Sequence, residues 1–299
     1  MKIVKGAGGI DIAVYEAGNP QGPALLFIHG FSQAALSWKK QFESNLAKTY
    51  RLVALDMRGH GASGKPMEPS AYDNAEPFAG DLQAILDGLG LDKVVAVCWS
   101  MGGVWICDYL RVHGEARLRG IILVDATTQQ GTKITEKMFG GTVGDILGNM
   151  FSTDPAANIL GTKGFVRACT AKPLPEDEFE DMLAFNMMVP PQARQWMLER
   201  VADNNDVIGK ITIPVLQIHG AADGVVLPFA GEYTLDHVPH GDKKMILYDG
   251  VGHCPFWEDA ERFNADVAAF VEGLSGYPTS RSVSREVIKR RDQPKPDND

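Results

Sequence analysis

The chain has 299 residues, of which 44% are hydrophobic, and carries a formal net charge of −9. This length is enough to bury a full hydrophobic core, and a single α/β domain of this size is common. The acidic balance argues against nucleic acid or an anionic membrane surface as a partner, because both would require a basic face.

The sequence shows no pattern typical of a membrane or metal-binding protein. No segment reaches the roughly 18 to 20 apolar residues that span a bilayer, and the N-terminal residues lack the regions of a signal peptide. The four cysteines show no metal-ligand or disulfide spacing. We therefore expect a cytoplasmic protein with reduced thiols, no metal, no cofactor and no membrane partner.

The first 126 residues alternate short apolar runs with helical patterns. Strands are predicted at 11–18, 24–30, 50–56, 93–99 and 118–126, and helices at 34–48, 76–90 and 102–114. The strand runs are continuously apolar, as in strands that are buried on both faces. Helices between such strands predict a mostly parallel sheet with right-handed crossovers, so the fold class is α/β.

The pattern changes after residue 126. No strand is predicted between 127 and 205, where helices are separated by Pro190 and Pro191. Strands resume at 213–220 and 243–250, and an amphipathic helix at 259–274 closes the sequence pattern. We therefore predict three regions. They are an α/β core (1–126 and 206–274), an inserted helical cap (127–205) and a disordered tail (275–299) of low apolar content.

The segment "VCWSMGG" (97–103) places a serine where a strand meets a helix. A nucleophilic serine is presented by such a sharp turn, in which small residues two positions before and after it prevent clashes. Gly102 satisfies this requirement, and Cys98 is only moderately larger than the glycine expected there. Ser100 is therefore the candidate nucleophile.

Several further segments are typical of one family. They are "FIHGFSQAALSW" (27–38), "LDMRGHGASGKP" (55–66), "IHGAADGVV" (218–226) and "YDGVGHCPFWEDAERF" (248–263). Together with the serine turn they occur in the order found in the α/β-hydrolase superfamily, which the chain resembles over residues 10–274. The serine turn is most similar to the GWSMGG form of small-molecule carboxylesterases. The resemblance implies a central sheet flanked by helices with a helical cap inserted above it.

The resemblance also implies a catalytic triad in the order Ser100, Asp223, His253. His253 would accept the Ser100 proton, and Asp223 would orient and stabilise the imidazole. Asp125, which follows another strand, is the alternative position for the acid. Of the other histidines, we expect His29 to be structural, and we expect the remaining ones at the surface or in turns. These remaining histidines are His60, His113, His219, His237 and His240.

Substrate contacts are predicted from the same resemblance. The backbone N–H groups of Phe31 and Met101 would form the oxyanion hole. Aromatic residues and methionines of the cap, with Phe139, Phe151 and Phe165 among them, predict an apolar roof over the sheet edge. The side chains that we expect to contact substrate are Phe31, Trp99, Phe185, Met188 and Trp196.

These features predict a serine carboxylesterase that cleaves small or medium-sized esters or lactones through an acyl-enzyme intermediate. Relatives on the same scaffold carry out cofactor-free haloperoxidase or perhydrolase reactions, or hydrolyse carbon–carbon bonds. Since fold does not decide among these chemistries, they remain alternatives. A non-catalytic receptor for small ligands on the same scaffold is an alternative of another class.

Overall fold

An eight-stranded sheet forms the centre of the computed structural model, which describes residues 1–141 and 143–274. Its strands are β1 (Lys2–Lys5), β2 (Asp11–Gly18), β3 (Ala24–Ile28), β4 (Arg51–Leu55), β5 (Val94–Trp99), β6 (Leu118–Val124), β7 (Val215–Gly220) and β8 (Lys243–Tyr248). They are arranged in the order β1-β2-β4-β3-β5-β6-β7-β8. The pairs β1/β2 and β2/β4 are antiparallel, and all the others are parallel. The predicted α/β class with a mostly parallel sheet is therefore confirmed.

Helices cover both faces of the sheet and form the segment between β6 and β7. They are α1 (Lys39–Phe42), α2 (Leu46–Thr49), α3 (Ala75–Gly88), α4 (Gly102–His113), α5 (Val143–Met150), α6 (Pro155–Ala168), α7 (Glu176–Met187), α8 (Pro191–Glu199), α9 (Asn205–Ile208), α10 (Phe229–His237), α11 (Pro255–Glu258) and α12 (Ala260–Gly273). None of these helices combines the length and apolar character that a bilayer crossing requires. The tail predicted to be disordered, 275–299, lies outside the described residues.

Strand β5 lies at the centre of the sheet, and this position explains why its sequence lacks polar alternation. All six of its residues are buried, and it pairs with β3 on one side and β6 on the other. A strand covered on both faces by helices has no solvent-facing side on which polar residues would be favourable. Its carboxyl end lies at the middle of the sheet edge, where open α/β sheets bind ligands.

The predicted helix at 34–48 is instead three short helical turns. A 3₁₀ turn at Ala35–Trp38 leads into α1, and α2 begins only at Leu46. The Ser44 hydroxyl donates to the Gln41 carbonyl at 2.7 Å and accepts the Leu46 N–H at 3.1 Å. Serine side chains compete with helical hydrogen bonds in this way, so the helix is interrupted.

The segment between β6 and β7 is fixed to the core by a buried ion pair, and a short bridge joins the two ends of the segment to each other. The Arg200 guanidinium, at the end of α8, donates to the Asp108 carboxylate of α4 at 2.7 Å, and both side chains are buried. Nearby, Gln130 and Ala202 form an isolated antiparallel bridge. We use the name cap for residues 127–205, as in the sequence prediction.

Candidate active site

Ser100 lies on a strained turn between β5 and α4. Its φ of 54° is in the left-handed region, which is uncommon for residues other than glycine, and its N–H donates to the Val124 carbonyl at 2.9 Å. A Cβ atom at Gly102 would lie 2.8 Å from the Ile28 carbonyl oxygen, so this position needs a glycine. Cys98, which replaces the expected glycine, lies fully buried in β5. The turn is therefore the strand-to-helix turn that the sequence predicts.

The loop after β3 passes directly against Ser100. A Cβ atom at Gly30 would lie 2.8 Å from the Ser100 Cβ, so only glycine allows this approach. The next residue, Phe31, and the residue after the serine, Met101, each have a backbone N–H that donates no hydrogen bond within the described residues. These are the two N–H groups predicted for the oxyanion hole.

Two buried histidines hold this loop in place. The N–H of Met57 donates to His29 Nε2 at 3.0 Å, and the N–H of Ser32 donates to His60 Nε2 at 3.1 Å. Burial lowers the pKa of His29 to about 4 and lowers the pKa of His60 well below its usual value, so both rings are neutral acceptors at neutral pH. The structural role expected for His29 agrees with this geometry. His60 lies in a turn, as expected, but is completely buried.

His253 is hydrogen-bonded to Asp223 in the loops that follow β8 and β7. His253 Nδ1 lies 2.7 Å from Asp223 Oδ2, while Asp223 Oδ1 accepts the N–H groups of Val225 at 2.8 Å and Val226 at 3.1 Å. Burial would raise the pKa of Asp223. The effect of burial is outweighed by the charge of His253 and by hydrogen bonds from His253 and His219. Together they hold the pKa of Asp223 well below its usual range. The carboxylate is therefore a stable anion beside the imidazole.

Asp125, the alternative acid, lies next to this pair. Its Oδ1 accepts the Gly220 N–H at 2.8 Å, and its Oδ2 is buried without a hydrogen-bond partner among the described residues. Burial, followed by the negative charge of Asp223, raises the pKa of Asp125 well above its usual value. In this structure the carboxylate that bonds to the imidazole is therefore Asp223, and the raised pKa of its neighbour Asp125 favours the protonated form.

His219 is a functional neighbour that sequence reasoning missed. The expectation of a surface or turn position is wrong, because His219 lies in β7 and is completely buried. Its Nε2 lies 2.8 Å from the Val226 carbonyl oxygen and 3.5 Å from Asp223 Oδ2, while its Nδ1 lies 3.0 Å from Gln217 Nε2. The period of two in a strand puts Gln217 and His219 on one face, which was the available signal.

The other ring nitrogen of His253 has no partner in the described part of the chain. His253 Nε2 is buried and makes no hydrogen bond, so the link to the serine hydroxyl is open in this structure. Catalytic hydrogen bonds of this kind are often long in the absence of substrate and shorten when it binds. The Trp99 indole donates to the His253 carbonyl oxygen at 2.8 Å, so Trp99 supports the histidine loop from beneath.

A cavity of about 310 Å³ opens at Ser100. Its described lining residues are Phe31, Ser100, Met101, Thr127, Gln130, Gly131, Phe139, Gly140, Gly144, Leu147, Phe151, Phe165, Leu198 and Val225. Cap aromatic residues thus form one wall of the cavity. Two polar side chains of the lining are already bonded, because Thr127 donates to the Gln129 carbonyl at 2.7 Å and Gln130 donates to the Met197 carbonyl at 2.6 Å.

Of the side chains expected to contact substrate, only Phe31 is among the described lining residues. Phe185 and Met188 lie along a separate groove of about 470 Å³ beside Ala34 and Leu36, because the end of α7 packs against the segment that follows β3. Trp196 stacks on Tyr72 with the ring centroids 6.0 Å apart, and Trp99 is buried beneath His253. These four positions are therefore corrected to sites outside the cavity.

The donor atoms around His253 could also be considered as metal ligands. Asp125, Asp223 and His253 offer one ligand atom each within 4.8 Å of one another, and all three are buried. In the structure, however, Asp223 is occupied by two backbone N–H groups and the imidazole. This arrangement is suited to moving a proton at His253.

The four cysteines are all free and buried.

Comparisons with known proteins agree with this fold. The sequence model of a family described as having the alpha/beta hydrolase fold matches residues 23–260. A non-heme chloroperoxidase of Kitasatospora aureofaciens is 29% identical over 282 residues, which cover 91% of this chain and 99% of that protein. A bifunctional esterase/perhydrolase of Acinetobacter calcoaceticus is 25% identical, covering 88% of this chain and 96% of that protein. The crystal structure of an esterase from Rhodococcus sp. ECU1013 is similar with a TM-score of 0.86 and 31% identity, covering 91% and 98% of the two chains.

Proposed function

The chain belongs to the α/β-hydrolase family, and from this membership we propose that it is a serine hydrolase that cleaves neutral carboxylic esters or lactones. The observation that carries the proposal is the 2.7 Å hydrogen bond between Asp223 and His253. It lies at the same sheet edge as a serine on a left-handed turn with a φ of 54°. Asp223 is thus bonded to the imidazole as its role in acyl transfer requires, and the hydrogen bond between His253 and Ser100 would form when substrate binds.

In the proposed mechanism Ser100 attacks the ester carbonyl while His253 Nε2 accepts the hydroxyl proton. Asp223 stabilises the imidazolium that forms, without itself taking the proton. The N–H groups of Phe31 and Met101 stabilise the oxyanion, and loss of one such donor typically costs about 3 kcal/mol of transition-state stabilisation. His253 then protonates the leaving alcohol, and a water molecule activated by the same imidazole hydrolyses the acyl-enzyme.

The cavity supports a neutral substrate of small or medium size. None of its described lining side chains is charged, and four of them are phenylalanines. The volume of about 310 Å³ is at the lower end of the range of small-molecule sites. Aryl and short-chain acyl esters are therefore the substrates that we propose to test first.

The nucleophile is tested by Ser100→Ala with a nitrophenyl ester. We expect kcat to fall by about 10⁶-fold, as for removal of other serine nucleophiles. A fluorophosphonate should label the wild-type chain at Ser100, which peptide mass spectrometry would locate. The exposed Ser70→Ala variant is the control and should keep full activity. Labelling at another residue, or an active Ser100→Ala protein, would refute the assignment.

The acid is tested by comparing Asp223→Asn with Asp125→Asn. Asp223→Asn should lower kcat by about 10⁴-fold, because the amide stabilises the wrong imidazole tautomer. Asp125→Asn should leave kcat within about tenfold of the wild type, since an amide resembles the protonated carboxyl that we infer at this position. The reverse order of the two effects would make Asp125 the acid.

Perhydrolysis is the second candidate activity. It is favoured by the similarity to a bifunctional esterase/perhydrolase over 88% of this chain. In this reaction hydrogen peroxide replaces water as the nucleophile that attacks the acyl-enzyme and yields a peracid. Peracetic acid formed from acetate and peroxide, and absent with Ser100→Ala, would establish it. A protein that hydrolyses esters but yields no peracid would be an esterase only.

A further inference from the structure

One carboxylate joins the loop of His253 to the cap. Glu258 is the last residue of α11, and its Oε1 accepts the Gly252 N–H at 2.9 Å and the Cys254 N–H at 3.4 Å. Its Oε2 accepts the N–H of Ala171, in the turn after α6, at 2.8 Å. The acceptors of one side chain therefore bond to residues on both sides of His253 and to one residue of the cap.

The two segments joined by Glu258 are in direct backbone contact. A Cβ atom at Gly252 would lie 2.5 Å from the Ala171 nitrogen and 2.9 Å from the Thr170 carbonyl carbon. The carboxylate is half-buried at this junction, and burial raises the pKa of Glu258, although the hydrogen bonds from the three N–H groups act in the opposite direction. If the carboxylate were removed, the N–H groups of the buried residues Gly252 and Cys254 would lose an acceptor, which is costly where water has little access, and the exposed Ala171 would lose its link to the histidine loop.

The neighbouring side chain extends the same connection to another helix of the cap. The Trp257 indole donates to the Glu178 carboxylate of α7, and Lys40 pairs with the same carboxylate at 3.0 Å. Below, the His253 carbonyl is held by the Trp99 indole. The histidine loop is therefore fixed from the core through Trp99 and from the cap through Glu258.

We propose that Glu258 is a positioning residue that fixes the backbone on both sides of His253 and sets the position of the cap turn at Ala171 against it. This inference rests on the proposed function, since it gives Glu258 a role in orienting the imidazole. Glu258 is not among the described residues that line the cavity. Its loss should therefore lower kcat and leave KM nearly unchanged.

The test compares Glu258→Ala and Glu258→Gln with Glu261→Ala. Glu261 is exposed on α12, so its replacement removes the same charge without affecting the junction. We expect kcat to fall by up to about 100-fold in Glu258→Ala, because displacement of a catalytic group by about 1 Å has an effect of this size. Glu258→Gln keeps one acceptor oxygen and should lie between Glu258→Ala and the wild type. Activity of Glu258→Ala equal to that of Glu261→Ala would overturn the inference while leaving the proposed function intact.

A double variant separates positioning from a general loss of stability. In a His253→Ala background, adding Glu258→Ala should not lower the residual rate further, because the residue that it positions is already absent. A further drop of the same size as in the single variant would overturn the inference.

Hydrogen exchange tests the junction independently of turnover. In Glu258→Ala, exchange should accelerate at the N–H groups of Ala171, Gly252 and Cys254 and stay unchanged in the central strand β5. Unchanged exchange at the junction would also overturn the inference, whatever the outcome of the activity assays.

Discussion

Two carboxyl groups with opposite preferences for a proton lie side by side at His253. Asp223 receives two backbone N–H groups and the imidazole, which favour its charged form. Asp125 accepts the Gly220 N–H, and the charge of Asp223 acts against its ionisation. These pKa shifts favour a single negative charge beside His253, which is the charge that stabilises one imidazolium. His219 adds a further contact to the Asp223 carboxylate at 3.5 Å.

The raised pKa of Asp125 predicts how the free energy of unfolding changes with pH. In the unfolded chain an aspartate loses its proton near pH 3.9, whereas the pKa of Asp125 in the folded chain is raised well above its usual value. The unfolded state therefore binds fewer protons above about pH 4, and this group lowers the free energy of unfolding as pH rises. Asp125→Asn should remove that loss.

Urea unfolding of the wild type and Asp125→Asn between pH 5 and pH 7 measures the effect. The variant should gain stability relative to the wild type by up to about 1.4 kcal/mol per pH unit, the value for one proton. Asp249→Asn, at an exposed position, controls for the change in net charge. If the wild type and Asp125→Asn change in parallel with pH, Asp125 is ionised in the folded state.

At the scale of elements, residues 138–140 of the cap are paired with the loop that carries Asp223. The Gly140 N–H donates to the Val225 carbonyl at 3.1 Å, and the Leu227 N–H donates to the Met138 carbonyl at 2.7 Å. Between these bonds, Phe139 and Val226 form an antiparallel bridge. The cap therefore contacts the acid loop at this point, as it contacts the histidine loop through Glu258.

Gly140→Ala should disturb this pairing. Its Cβ would lie 1.8 Å from the Gly224 carbonyl oxygen, so the backbone next to Asp223 has to shift. We expect a loss of about 1–3 kcal/mol in the free energy of unfolding, as for other overpacked sites, together with a lower kcat. Thermal unfolding and ester hydrolysis measure the two effects.

Gly141→Ala is the matched control, because a Cβ at that position meets no described atom within 4 Å. It should change neither stability nor kcat appreciably. Equal behaviour of the two variants would show that the acid loop does not depend on the contact at Gly140.

On the scale of the whole molecule, the net charge and the lining of the cavity both disfavour an anionic substrate. The chain has a net charge of −9, and no described side chain of the cavity is cationic. An anionic substrate would be repelled at a distance and would lose its hydration in the cavity without gaining a partner. Salt screens the first effect but has little influence on the second.

A pair of nitrophenyl esters distinguishes these effects. The monoester of succinic acid resembles the butanoic ester in length but carries a carboxylate. We expect its kcat/KM to be at least about 100-fold lower, which corresponds to about 2.8 kcal/mol of unpaired charge burial. The difference should persist at high salt if desolvation dominates. Equal kcat/KM values would mean that the bound carboxylate stays in water or meets a cation.

The sequence by itself determined the features that depend on neighbouring residues. Continuous apolar runs indicate strands that are buried on both faces, and the α/β sheet follows from their alternation with helices. Small residues around Ser100 indicate a sharp turn, because steric limits act within a few residues. The break in the helix at Ser44 is a local feature that was nevertheless missed, because the apolar spacing over 34–48 does not show whether the serine side chain bonds to the backbone.

Only the tertiary structure decided which distant groups meet. Asp125 and Asp223 both follow strands, and their positions in the sequence do not show that His253 bonds to Asp223. Phe165 lines the cavity while Phe185 lies in a separate groove, because the packing of the cap helices determines which side of each helix faces Ser100. The junction at Glu258 likewise arises from a contact between segments far apart in the chain, for which local patterns carry no signal.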